Sequence, residues 1–106
     1  MNKRIRKKQL KKLNAWVNPK DTWNLDVTFA KFAVPRLKLF KKSIIGFPWR
    51  LTSLEEWEAI LDKMILAFEL IANGDDDFTR EDYEEINKKI NEGLELFAIY
   101  FRDLWW

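Results

Sequence analysis

Apolar residues recur at helical spacing over most of this 106-residue chain, and the pattern is clearest in its second half. From Leu54 to Ile71 they hold one face for about five helical turns. Thr52 and Glu55 before this run have the spacing of a capping box, and Asn73-Gly74 after it is a common helix stop. The pattern therefore predicts a long helix between these two signals.

A second long helix is predicted in the C-terminal part of the chain. Thr79 and Asp82 provide a start signal, and an apolar face then runs from Tyr83 to Leu104. Gly93 interrupts this helix at a cost of about 1 kcal/mol relative to Ala. A close crossing with a neighbouring helix would explain the glycine.

An earlier helix is predicted to begin at Asp21 or Thr22, and it contains two interleaved apolar series. One series is Trp23, Val27, Ala30, Val34 and Leu37, and the other is Leu25, Phe29, Phe32 and Phe40. A helix that is apolar on both sides is typical of the centre of a bundle. Pro35 lies inside it and deprives the Lys31 carbonyl of its partner, so we expect a kink or a break there.

The first predicted helix covers about residues 4–16 and has only a thin apolar stripe, which includes Leu10 and Leu13. Pro19 ends it. The predicted fold is therefore all-α, a compact bundle of four to five helices with a Pro-kinked second helix and two long C-terminal helices. Residues 1–18 form a basic N-terminal helix or arm, and 19–106 form the bundle domain.

Charge is segregated along the chain. Residues 1–50 carry 14 Lys and Arg against two acids, a net of +12, whereas residues 51–106 carry five against 15, a net of −10. This asymmetry indicates either a charged partner or a fold in which the two halves neutralise each other. The candidate residues for contact with nucleic acid or a protein partner are Lys3, Arg4, Arg6, Lys7, Lys8, Lys11, Lys12, Arg36, Lys38, Lys41 and Lys42.

Six Trp residues make the chain unusually rich in indoles. Phe47 and Trp49 lie in a predicted loop, and Trp105 and Trp106 end the chain. Trp is a common anchor of protein interfaces, so these four residues are candidate interface residues, as a partner contact or as the contact of a homodimer. The alternative is that they pack on their own domain, as a monomer would require.

The chain contains neither Cys nor His. Disulfides, thiolate nucleophiles, the usual zinc sites and imidazole bases are thereby excluded, and we predict no catalytic residues, no metal and no cofactor. Residues 73–82 form an acidic segment between two helices, where an EF-hand loop would lie, but Phe78 falls where that loop needs Gly. A capped, solvated turn is the favoured interpretation, with a degenerate calcium-binding helix-loop-helix as an alternative.

No window approaches the ~20 apolar residues of a membrane span, and no signal-peptide core follows the basic start. We therefore expect a cytoplasmic protein with no membrane contact.

Several short motifs resemble small helical proteins encoded by tailed phages and prophages of Gram-positive bacteria. The motifs are Asp21-Thr22-Trp23-Asn24-Leu25-Asp26, Ala30-Lys31-Phe32, Pro35-Arg36-Leu37-Lys38, Gly46-Phe47-Pro48, Leu51-Thr52, Glu56-Trp57, Ile60-Leu61-Asp62-Lys63-Met64-Ile65, and the closing Gly93, Phe97, Tyr100-Phe101 and Leu104-Trp105. The resemblance covers about residues 21–106.

This resemblance implies a phage origin and no catalytic residues. Small phage accessory proteins act mostly by binding macromolecules. The expected function is therefore a non-enzymatic accessory protein that binds nucleic acid or a host nucleoprotein through its basic half, possible roles including a counter-defence inhibitor such as an anti-CRISPR. A homo-oligomeric structural protein that uses exposed Trp residues is the alternative.

Overall fold

The computed structural model describes Lys7, Lys8, Lys11 and residues 17–105, and all regular secondary structure in this part is helical. The α-helices are α1 (Leu25–Ser43), α2 (Leu54–Ala72) and α3 (Tyr83–Tyr100), with short 3₁₀ helices at Pro19–Thr22 and Phe101–Asp103. The all-α prediction is confirmed. In the described residues the structure has three α-helices with defined bounds, whereas four to five helices were predicted. Of the predicted first helix, Lys7, Lys8 and Lys11 are helical, and its other residues lie outside the described part of the chain.

Helix α2 is the centre of the fold. Both α1 and α3 pack along it, and the contact between these two helices is limited, with the ring centroids of Phe29 and Phe97 at 6.5 Å. The buried side chains of α2 are Trp57, Leu61, Met64, Ile65, Ala67, Phe68 and Ile71, whereas α1 buries only Ala30, Ala33 and Leu37. The expectation that α1 is the central helix was therefore wrong. Helix α1 packs on α2 along one side, where Phe40 also meets the core, and Leu25, Phe29 and Phe32 stay about half exposed.

Helix α1 runs through Pro35 as one uninterrupted element. The Pro-kinked second helix expected from the sequence is thus not seen. Pro35 and Lys31 are both exposed, so water can reach the Lys31 carbonyl that loses its partner. The Arg36 guanidinium also donates to the Phe32 carbonyl at 2.9 Å. One missing backbone bond on a solvated face therefore does not break the helix.

The N-terminus of α2 is capped one residue later than the sequence suggested. The Ser53 hydroxyl accepts a hydrogen bond from the Glu56 backbone N–H at 3.1 Å. The Glu56 carboxylate in turn accepts from the Thr52 N–H and hydroxyl, at 3.2 and 2.7 Å, which lowers the pKa of Glu56. Ser53 and Glu56 thus form a variant of the capping box in place of the predicted Thr52 and Glu55, in which Glu56 reaches back to Thr52 and not to the N-cap Ser53.

Replacing Ser53 with Ala should lower the free energy of unfolding by about 1 kcal/mol, because the Glu56 N–H loses its acceptor. Ser43→Ala is the matched control: that hydroxyl only donates to the Leu39 carbonyl within α1, and its loss should be close to neutral. Urea denaturation of the two variants measures the difference. Equal stability of both would contradict the cap.

Gly93 lies at the crossing of α3 with α2, as its position in the sequence indicated. A Cβ atom there would overlap the Ala67 methyl group and the Lys63 carbonyl oxygen. The glycine is buried in this contact. Helices α2 and α3 can therefore approach closely only because residue 93 has no side chain.

Candidate binding surfaces

One end of the bundle carries an apolar pocket of about 540 Å³. It lies between residues 43–49, which leave α1 and have no regular structure after Ser43, and the C-terminal end of the chain. Its principal lining side chains are Ile44, Phe47, Pro48, Trp49, Trp57 and Trp105. We call this feature the aromatic pocket. Its volume is in the range of known ligand and side-chain sites.

The floor of the aromatic pocket is fixed and its rim is exposed. Trp57 is 1% exposed, and its ring meets Phe40 at 6.4 Å and Tyr100 at 5.5 Å between centroids. Trp49 and Trp105 are 90% and 75% exposed. The indoles of Trp49 and Trp105 are therefore exposed to water, whereas Trp57 beneath them is part of the core.

Arg50 joins the loop side of the pocket to the end of α3. Its guanidinium pairs with the Asp103 carboxylate, donates to the Ile99 carbonyl at 3.3 Å and lies 4.7 Å over the Tyr100 ring centroid. These contacts hold the segment that contains Trp49 against the segment that contains Trp105. Asp103 is the only charged residue that lines the pocket within the described part of the chain.

Three of the four predicted interface residues meet at this pocket. Phe47, Trp49 and Trp105 come from segments more than 50 residues apart in the sequence and line the same cavity, while Trp106 lies outside the described residues. Sequence reasoning missed Arg50, which had no recognisable signal because its partner Asp103 is 53 residues away. Ile45 on the same loop looked exposed from the sequence and is almost fully exposed, but it was not among the predicted interface residues.

The predicted basic contact residues divide into two groups. Lys7, Lys8 and Lys11 are exposed, and Lys3, Arg4, Arg6 and Lys12 lie outside the described residues. These seven residues are the N-terminal group of the predicted contact residues. The second group lies on α1 and consists of Arg36, Lys38, Lys41 and Lys42.

On α1, the acidic half of the chain neutralises part of the basic half. Lys38 pairs with Glu69 at 2.7 Å, and Lys41 pairs with Asp62 at 2.6 Å, which raises the pKa of Lys41. Lys42 is exposed, and the Arg36 guanidinium lies 3.7 Å over the Phe32 ring centroid. The segregated charge was explained either by a charged partner or by neutralisation between the two halves of the chain. Neutralisation within the chain applies to Lys38 and Lys41, two of the four predicted contact residues on α1.

In the acidic segment before α3, three carboxylates find partners within the segment itself, those of Asp75, Asp77 and Asp82. Arg80 pairs with Asp75 at 2.8 Å and with Asp82 at 3.0 Å. The Asp77 carboxylate accepts from the Thr79 N–H at 2.9 Å and hydroxyl at 2.6 Å, which lowers the pKa of Asp77. Within the described ranges, no group of three or more acidic residues is arranged to hold a metal ion. The arrangement matches the capped turn and gives the calcium alternative no geometric support.

The shifted carboxyl groups of the described residues all favour the charged form. The pKa of Glu92 is lowered by the Lys63 ammonium at 2.7 Å, as hydrogen bonds lower those of Glu56 and Asp77. A carboxyl group that acts as a general acid needs the opposite shift. These groups serve as caps and ion pairs of the fold.

No family model, curated protein or solved structure matches this chain. In the part of the chain that the structure describes, no helix is long and apolar enough to cross a membrane.

Proposed function

We propose that this chain is a non-enzymatic binding protein that holds a partner protein through apolar side chains inserted into the aromatic pocket. One observation carries the proposal: Phe47, Trp49 and Trp105 converge from two distant segments around a pocket whose floor is the buried Trp57. Exposed indoles that surround a well-packed apolar floor are typical of interface hot spots. Burial of such rings by a partner removes a large apolar area from water.

The charge of the pocket favours a protein over a nucleic acid. Aromatic rings that stack on bases are usually set in a positively charged groove, which follows the phosphate backbone. Among the described residues, the single charged residue of the lining is the acidic Asp103, and its cation Arg50 is already engaged by that carboxylate. A phosphate close to this pocket would meet a carboxylate, whereas an apolar protein side chain would not.

The shape and chemistry of the pocket also favour a macromolecule over a small metabolite. Small-molecule sites bury most of their ligand and place several polar groups to orient it. This pocket is open along the exposed Trp49 and Trp105, and its lining side chains are mostly apolar. With the phage origin that the sequence motifs suggest, the partner would be a host or phage protein, such as a protein subunit of a host defence nucleoprotein.

Selection from a library of displayed random peptides tests this proposal directly. The intact chain should enrich peptides that carry an aromatic or large aliphatic anchor. Trp49→Ser and Trp105→Ser should each weaken the selected peptide by about 30-fold, which corresponds to about 2 kcal/mol for a hot-spot residue. Isothermal titration calorimetry of a selected peptide measures the change.

Trp23→Ser is the matched control, because Trp23 is also highly exposed, at 78%, and does not line the pocket. It should leave the peptide affinity unchanged. Equal affinity of the wild-type chain and the Trp49→Ser variant would refute the proposal.

Nucleic-acid binding by the basic half is a second candidate function, favoured by the exposure of Lys7, Lys8 and Lys11. Binding of a labelled DNA duplex should fall about 40-fold between 50 and 200 mM salt if these three residues each contact one phosphate. Replacing all three with Glu should remove that dependence, and Trp49→Ser should not affect it. Fluorescence anisotropy that shows no binding at about 50 mM salt would exclude this candidate.

A further inference from the structure

Helix α1 carries a row of apolar residues that its own domain leaves exposed. Leu25, Phe29, Phe32, Arg36 and Leu39 follow one another in alternating steps of four and three residues. This spacing places them on one face of the helix, as in the seam of a coiled coil. The four apolar members are 48 to 65% exposed. We call this set the α1 stripe.

The stripe borders the core but is not covered by it. Of its members, Phe29 reaches the ring of Phe68 at 6.0 Å and that of Phe97 at 6.5 Å. Beyond this approach of Phe29 to Phe97, helix α3 makes little contact with α1. Leu25, Phe29 and Phe32 of the second apolar series therefore lack a second helix that covers them within the described residues, whereas Phe40 packs on Trp57.

The area of the stripe is sufficient for self-association. Four side chains that are about half exposed leave roughly 400 Å² of apolar surface in water. Two copies would contribute roughly 800 Å², and because interfaces are about 60% apolar, the total buried area would be about 1,300 Å². That total lies within the range of specific interfaces. The roughly 400 Å² on one copy is in the range of the largest apolar patch on a typical monomer, which is often functional.

We propose that two copies of this chain pair through the α1 stripe, with the two α1 helices antiparallel. The position of the charged residues on α1 supports a second copy of the chain as the partner of the stripe. By helical spacing, Lys31, Lys38 and Lys42 lie on the side of α1 away from the stripe, so the lysines of the two copies would point away from each other. The stripe is flanked instead by the uncharged Thr28 and Pro35.

Arg36 decides the orientation. Parallel helices would place the two Arg36 side chains in the same layer of the seam, where like charges repel. Antiparallel helices with Phe32 opposite Arg36 of the second copy would bring a cation to an aromatic ring, and Phe29 would then lie opposite Leu39. Arg36 already stacks on Phe32 within one chain, so the guanidinium is held at the face where the second copy would arrive.

Sedimentation equilibrium over about 1 to 100 μM tests the pairing. The wild-type chain should reach twice its mass of 12.8 kDa. Phe32→Ser should weaken self-association at least tenfold. Ile99→Ser is the control and should leave self-association unchanged, because Ile99 is similarly exposed, at 60%, but lies on α3 outside the stripe. A wild-type chain that remains monomeric throughout, or a dimer that Phe32→Ser leaves intact, would overturn the proposal.

Disulfide trapping tests the orientation, since the chain contains no Cys. In the antiparallel pair Leu25 lies opposite Ser43 of the second copy. A mixture of Leu25→Cys and Ser43→Cys chains should form the mixed disulfide, and Ser43→Cys alone should form none. A disulfide between two Ser43→Cys chains would overturn the antiparallel arrangement. Phe32→Ser should keep the peptide affinity of the aromatic pocket, so failure of the pairing and failure of the proposed function can be told apart.

Discussion

Replacing Phe68 with Ala should lower the free energy of unfolding by about 3 to 5 kcal/mol. The side chain is only 3% exposed, and its ring lies 6.0 Å from that of Phe29 on α1 and 5.0 Å from that of Phe97 on α3. One ring thus joins all three helices, and its loss leaves a cavity where they meet. Since small domains are stable by about 5 to 15 kcal/mol, the loss is a large fraction of the total.

Urea denaturation measures this loss, with Leu66→Ala as the control. Leu66 lies on the same helix but is exposed, so its truncation removes little buried area and should cost well under 1 kcal/mol. If Phe68→Ala were no more destabilising than Leu66→Ala, the packing of α1 and α3 on α2 would be contradicted.

Replacing Gly93 with Ala should destabilise the protein by about 1 to 3 kcal/mol or more, although Ala favours a helix over Gly by about 1 kcal/mol. The new methyl group would overlap the Lys63 carbonyl oxygen, which is backbone and cannot rotate away. The two helices would have to separate, and their buried contacts would weaken. The steric cost therefore exceeds the gain in helix propensity.

Asn91→Ala is the control, because residue 91 is exposed on the same helix and its change to Ala improves propensity without any clash. Thermal melting should show opposite signs for the two variants. A Gly93→Ala protein that melts higher than the wild type would show that α2 and α3 do not cross closely at this residue.

The sequence predicted the apolar faces of α2 and α3 because these signals are local. The start signal predicted for α3 was wrong: the helix begins at Tyr83, Asp82 makes no side-chain cap bond, and the Thr79 hydroxyl donates to Asp77. The apolar face of α2 is continuous, and Asn73 and Gly74 end the helix as expected, with Gly74 at a φ of 74° that favours glycine. Gly93 in an otherwise helical run correctly indicated a close crossing. The cap of α2 was wrong by one residue, because Thr52, Ser53, Glu55 and Glu56 offer two overlapping capping boxes and the sequence alone does not choose between them.

The place of α1 in the fold could not be predicted from its own residues. Two apolar series indicate two apolar faces, but whether both are buried depends on what other helices cover them. The kink predicted at Pro35 was wrong for a similar reason. The energetic cost of the missing N–H depends on whether water reaches the Lys31 carbonyl, and only the folded structure shows which face of α1 is exposed.

The sequence predicted three residues of the aromatic pocket, Phe47, Trp49 and Trp105, as interface residues, but it did not predict that they line one cavity. Indoles at a loop and at a chain end suggest contacts, but nothing local indicates that Trp49 and Trp105 share one cavity. Their proximity depends on the pair formed by Arg50 and Asp103 and on the buried Trp57 between them. In the same way, the pairs of Lys38 with Glu69 and Lys41 with Asp62 required the antiparallel packing of α1 on α2.

The central claim is that a partner protein occupies the aromatic pocket, and the six indole N–H groups report on it separately in a ¹⁵N correlation spectrum. During titration with a selected peptide, the indole signals of Trp49, Trp57 and Trp105 should shift, while that of Trp23 stays in place. A peptide that binds and shifts Trp23 but leaves the three pocket indoles unchanged would contradict the account.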